Sequence, residues 1–127
     1  MYGAILGDII GSPFEFDRGD KTKEFDLFSK DCDFTDDSVM TIAVGEALLA
    51  VGKEATVKEI EEAVVTNMQD WGKRYPYAGY GGRFRHWLRE SNPKPYGSYG
   101  NGSAMRVSAA GWLYDSMERT REVARAT

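Results

Sequence analysis

Thr35-Asp36-Asp37-Ser38-Val39-Met40-Thr41-Ile42-Ala43-Val44-Gly45-Glu46-Ala47-Leu48-Leu49-Ala50-Val51 is the stretch that decides the fold of this chain. Threonine and aspartate are residues that open helices, because their side-chain oxygens accept from free backbone N–H groups and carboxylates complement the helix dipole. The run that follows is apolar on most of a helical circumference, with Glu46 as its one charge. A helix of that kind belongs inside a bundle rather than on its surface. The sequence therefore predicts a central, buried helix from Thr35 to Val51, around which the other elements must pack.

Upstream, Gly3, Gly7 and Gly11 lie four apart among Ile5, Leu6, Ile9 and Ile10. On a helix they form one smooth stripe that another helix could approach closely, and Pro13 ends or bends that first helix. From Phe16 to Phe34 charges and turn formers alternate with isolated aromatics in no regular period, which predicts a long loop of a kind that is often functional.

Downstream, Thr56 with Glu59 makes a capping box, and Val57, Ile60, Val64, Met68 and Trp71 recur at amphipathic spacing, predicting a peripheral helix. Tyrosines and glycines dominate Tyr75 to Gly82, and a short helix is expected from Arg83 to Glu90 with Phe84, Trp87 and Leu88 inward. Ser91 to Gly102 reads as a loop. Ser103 is expected to cap a further buried helix through Met105, Val107, Ala109, Trp112 and Leu113. Asp115 with Glu118 opens a last charged helix that reaches the C-terminus with no stop signal. No alternating run of β-branched residues is long enough for a strand. The expectation is an all-α, multi-helix bundle, with residues 1–127 forming a single helical domain.

Composition narrows the functions. Sixteen basic against twenty acidic residues leave a net charge of −4, which offers no broad footprint for a nucleic-acid backbone. One cysteine, Cys32, and one histidine, His86, cannot build a structural zinc site of soft ligands or an internal disulfide, and a reducing, cytoplasmic setting fits best. The opening apolar stretch carries Asp8 and no basic leader, so no signal peptide is read and no membrane span is expected. Cys32 has only Lys30 as a local cation, and nothing near His86 in sequence would orient it as a base.

Chemistry concentrates elsewhere. Thr35, Asp36 and Asp37 place three hard oxygen donors within one turn, suited to Mg²⁺, and the same residues serve equally as a helix cap. Gly100-Asn101-Gly102-Ser103-Ala104-Met105-Arg106 is a glycine-rich turn feeding a helix, where free N–H groups and Arg106 could meet a phosphate. Asp8, among apolar neighbours, needs a hydrogen-bond partner or a cation, and capping another helix would satisfy it. Glu15 is either an acid near a site or a solvated loop carboxylate. The tyrosines at 75, 77 and 80 could stack on an adenine ring or close over the core.

Three segments in this order, Gly3-Ala4-Ile5-Leu6-Gly7-Asp8 through Gly11-Ser12-Pro13-Phe14-Glu15, then Phe34-Thr35-Asp36-Asp37-Ser38-Val39-Met40, then Gly100 to Val107, resemble the ADP-ribosylglycohydrolase family. The resemblance runs from Gly3 to about Asp115. It implies an all-α fold with a two-metal Mg²⁺ site in a cleft that grips ADP-ribose. Thr35, Asp36 and Asp37 would be metal ligands. Asp36, Asp37 and Glu15 would be the catalytic carboxylates, with Glu15 on a loop near the scissile bond. Asn101, Gly102 and Ser103 would contact ribose and phosphates, and Gly79, Tyr80 and Gly81 would form another wall.

The activity so implied is hydrolysis of the glycosidic bond between ADP-ribose and a modified protein side chain or a small ADP-ribosyl compound. Family members carry a second acidic motif of the type Asp-x-Asp-Thr, and none follows Arg106. The fold is therefore expected to be incomplete at the C-terminus, with half of the metal ligands missing, activity impaired, and exposed apolar surface inviting self-association. The alternative is a non-catalytic scaffold or binding relative of the same fold.

Overall fold

A computed structural model describes residues 1–16 and 22–127. Among the described residues there are seven α-helices, one 3-10 turn and no strand, as the all-α expectation requires. The helices are α1 (Tyr2–Gly11), α2 (Asp36–Val51), α3 (Val57–Arg74), α4 (Gly82–Trp87), α5 (Gly102–Arg106), α6 (Ser108–Leu113) and α7 (Met117–Ala126), with the 3-10 turn at Ser12–Phe14. Part of the loop expected from Phe16 to Phe34, residues 17–21, lies outside the described residues. None of the described helices is long and apolar enough to cross a membrane.

The organising element is α2. It packs against α1, α3, α5 and α6, and Met40, Ala43, Val44, Ala47 and Leu48 are fully buried along it. The apolar circumference read from the sequence is the reason: each face has a neighbour to bury against. Gly52 ends the helix at φ 83°, a left-handed conformation that glycine adopts without steric cost. The last turn departs from expectation, since Leu49 is 70% exposed.

Both halves of the capping box are present at the start of α3, between Thr56 and Glu59, and Ile60, Val64, Met68 and Gly72 make its buried stripe. A Cβ on Gly72 would stand 2.8 Å from Leu88 Cδ1, so this glycine lets α3 meet the end of α4. A second close approach occurs at Gly45 of α2, beneath Met1. The sequence had pointed to a different set. A Cβ on Gly3, Gly7 or Gly11 meets nothing within 4 Å, and α1 contributes no buried residue. The glycine stripe of α1 therefore faces open space in place of a helix.

Two more boundaries are corrected. The short helix ends at Trp87, three residues before the expected Glu90, and Gln69 Nε2 donates to the Glu90 carbonyl at 2.8 Å to hold the turn that follows. The single helix expected after Ser103 is broken into α5 and α6 at Val107, and its N-cap is Asn101, with Ser103 inside the first turn. Just before the break, the buried Thr41 hydroxyl of α2 donates to the Met105 carbonyl at 3.1 Å. Trp112, expected to be buried, is 78% exposed. Replacing Thr41 by valine keeps the shape and leaves that carbonyl without its donor, so urea denaturation should show a loss of about 1–2 kcal/mol. At the C-terminus Ser116 caps α7 by accepting from Arg119 N, while Asp115 pairs with Lys53 at 3.1 Å.

Candidate functional site

The N-terminus of α2 is held by a carboxylate from α1. Asp8 Oδ2 accepts from Thr35 N at 2.8 Å and Ser38 N at 3.1 Å, and Asp8 Oδ1 accepts from the Thr35 hydroxyl at 2.5 Å. Of the two roles open to Asp8 in the sequence, capping another helix is the one observed. Thr35 Oγ1 in turn accepts from Asp37 N at 3.3 Å, which is the N-cap bond expected of it. The Thr35 hydroxyl is thus a bridge between Asp8 and the first turn of α2.

This arrangement gathers negative charge. Burial raises the Asp36 carboxyl to about 6, with the charges of Asp37 and Glu15 adding to the shift. Asp37 is raised by burial and then by Asp8. Glu15, in the turn just after Ser12–Phe14, is raised by burial and then by Asp37 and Asp8. Glu15, which had two readings in the sequence, therefore stands within the electrostatic reach of the α2 carboxylates.

Asp36 also meets the tyrosine-glycine segment. Gly79 adopts φ 101°, which favours glycine there, and a Cβ at that position would lie in ordinary contact, 3.7 Å, with Asp36 Oδ1. Tyr80 is 4% exposed, with its ring edge-on to Phe84 at 5.9 Å. Burial and the Asp36 charge push its hydroxyl up to about 12. Its ring thus closes over the core, the second of the readings its segment allowed, while Tyr77 is 94% exposed.

An open groove of about 1400 Å³ runs from Asp36 past Gly81 and Arg83 to Asn101, Gly102 and Ser103. Acidic helix start and glycine-rich turn, separated by some sixty residues of sequence, are thereby brought to one concavity. Thr35, Asp37, Glu15, Gly79 and Tyr80 do not line it; they stand behind or beside its Asp36 end. Arg106, considered for a phosphate, donates through Nε and Nη2 to the Thr127 carbonyl at 2.9 and 2.7 Å, and burial lowers its pKa. Arg83 is a groove cation that motif reading passed over; the one signal for it was the run of arginines at 83, 85 and 89.

The ADP-ribosylglycohydrolase family profile matches residues 1–127. The chain belongs to that family. It is also 29% identical over 153 aligned positions to the ADP-ribosylhydrolase ARH3 of Xenopus tropicalis, an alignment that takes in all of this chain and 42% of that protein. This glycohydrolase-family chain thus spans less than half the length of that relative. No solved structure matches it.

Among the described residues, no three His, Cys, Asp or Glu side chains converge as a group that could hold a metal ion. The donor chemistry nevertheless fits one flank of a hard-cation site. Asp36 and Asp37 are adjacent carboxylates, each raised first by burial and then by a neighbouring carboxylate charge, a pairing that a hard cation would favour. The Thr35 oxygen beside them donates to Asp8 and accepts from Asp37 N.

Proposed function

We propose that this chain is the part of a Mg²⁺-dependent ADP-ribosyl hydrolase that grips the nucleotide and supplies one flank of the metal site. The bond cleaved is the glycosidic bond between ADP-ribose and a modified protein side chain or a small ADP-ribosyl compound. The observation that supports it best is the groove that joins Asp36 to Asn101, Gly102 and Ser103.

Asp36 and Asp37, with the Thr35 hydroxyl, would hold the ion, which when bound supplies charge neutralisation and Lewis acidity. The chain's own groups have separable tasks. The carboxylates of Asp36 and Glu15 favour the positive charge that develops at an anomeric carbon as its bond to the leaving group lengthens. Backbone N–H groups at Asn101, Gly102 and Ser103 suit the anionic phosphates, and fixing the nucleotide there orients the reacting carbon toward Asp36. Because no second acidic ligand motif occurs within the 127 residues, hydrolysis by this chain alone is proposed to be impaired.

A non-catalytic binding relative is the second reading, favoured by the lack of a three-ligand group among the described residues. Cytoplasmic location is proposed from the single cysteine, and self-association from the exposure of Tyr2 at 86% and Trp112 at 78%.

Calorimetric titration of ADP-ribose into the 127-residue chain tests the main reading. Saturable binding that requires Mg²⁺ is expected. Binding of equal strength with and without Mg²⁺ would favour the non-catalytic relative, and no binding in either condition would sink both.

A further inference from the structure

Helix α1 runs antiparallel along α2. Near its end Asp8 bonds Thr35 and Ser38 at the start of α2, and at its beginning Met1 reaches Gly45, where Met1 Cε stands 2.6 Å from the place a Cβ would take. Ala109 of α6 comes to the same point, its Cβ 3.8 Å away. Because α1 begins at this junction, the next turn of α2 has no cover from it, and Leu49, four residues beyond Gly45, is exposed. Trp112, three residues beyond Ala109, is exposed on α6, and so are Tyr2 beside Met1 and Leu6 one turn further along α1. Four large apolar side chains thus rim and extend from one junction, and Gly3 and Gly7 lie between two of them with open space above.

Two features of this face bear on what covers it. Helix α1 carries no charged side chain except Asp8, which is engaged with α2, so two copies of the face could meet without bringing like charges together. The area is adequate as well. Tyrosine and tryptophan each bury about 150–250 Å², and Leu6, Leu49 and the bare glycine backbone bring the face toward the roughly 800 Å² per partner of a stable interface.

We propose that the outer face of α1, continued by Leu49 and Trp112, is a two-fold interface between two copies of this chain, in which the helices cross at Gly3 and Gly7. The inference rests on the self-association reading above, which it assigns to one face, and it is independent of the hydrolase reading. A symmetric pair places the same patch on both partners, and glycines at the crossing let the two backbones approach closely.

The test is sedimentation equilibrium of the 127-residue chain over a range of concentrations. A discrete dimer is expected, and Leu6→Glu/Trp112→Glu, both exposed positions, should weaken it by about a hundred-fold or more through burial of unpaired charge. Gly3→Met/Gly7→Met separates a fitted crossing from general stickiness. It adds apolar surface and a better helix former at positions where a Cβ meets nothing, so the chain should melt no earlier than the parent while dimer affinity falls about ten-fold or more. A methionine variant that dimerises as well as the parent, or better, would overturn the α1 crossing. A parent that dimerises along with an equally dimeric glutamate variant would keep self-association and overturn this face. A parent that stays monomeric throughout would overturn both, and would leave the face to another polypeptide, such as a counterpart of the part of the Xenopus relative that this chain does not span.

Discussion

Replacing Asp8 by alanine is expected to destabilise the chain by about 3 kcal/mol, more than any single truncation at the groove. Three donors lose their acceptor at once: Thr35 N, the Thr35 hydroxyl and Ser38 N. All belong to the start of α2, and Ser38 is 3% exposed, so solvent cannot easily take over the lost bonds. The opposing effect is relief of repulsion, because the Asp8 charge raises the pKa of Asp36, Asp37 and Glu15. Those carboxylates are partly solvated, so the relief is worth about 1 kcal/mol or less and the hydrogen bonds win. Asp8→Asn, which keeps one acceptor oxygen, should lose roughly half as much. Urea denaturation of the three proteins is the measurement. A loss below about 1 kcal/mol for Asp8→Ala would mean that α1 does not hold α2 in this way.

The second large effect has opposite signs with and without metal. Asp36→Ala/Asp37→Ala should abolish the Mg²⁺ dependence of ADP-ribose binding, yet the metal-free variant should melt no earlier than the parent near neutral pH. The pH dependence follows from Asp36. Its carboxyl is raised from 3.8 to about 6 in the fold, so between those values the folded chain holds a proton that the unfolded chain releases. Its favourable contribution is complete below the unfolded value and is lost as pH rises through about 6. Asp37 and Glu15 shift in the same direction. Discounted for partial solvation, the metal-free chain should be about 1–2 kcal/mol more stable near pH 5 than near pH 7.5, and Asp36→Asn should flatten the difference. Mg²⁺ at neutral pH should restore stability by mass action in the parent chain alone. A flat profile in the parent would contradict the charge cluster.

The parts of the fold that could be read from the sequence are those whose causes are local. An apolar circumference after Thr35-Asp36-Asp37 specifies α2, and Thr56 with Glu59 specifies the start of α3, because capping and periodicity act within a few residues. The break at Val107 could not be read from local sequence, and the hydroxyl on α2 that bonds the Met105 carbonyl beside it meets that carbonyl only after the bundle has formed. The close-approach glycines were misjudged for the same reason: a stripe at Gly3, Gly7 and Gly11 looks right for packing, while Gly72 earns its place only through Leu88. In the candidate site, Asp36 and the Asn101–Ser103 turn, which the motifs singled out, line one groove. The motifs did not separate Asp36, which lines it, from Thr35, which the Asp8 clamp engages. Aromatic rings serve cores and ligands equally well, so the burial of Tyr80 could not be read from its sequence.

The clamp between Asp8 and α2 also bears on how variation in this chain would be interpreted. Helix α1 buries none of its own residues fully, and its Asp8 bonds the acidic start of α2. In a genetic screen for loss of function, substitutions at Asp8 would score with those at Asp36 and Asp37, and an inspector of the mutational map would add it to the proposed ligands. Abundance measured in parallel would separate them: Asp8 alleles would disappear from the soluble pool, whereas alleles at Asp36 and Asp37 would persist as well-folded, silent protein.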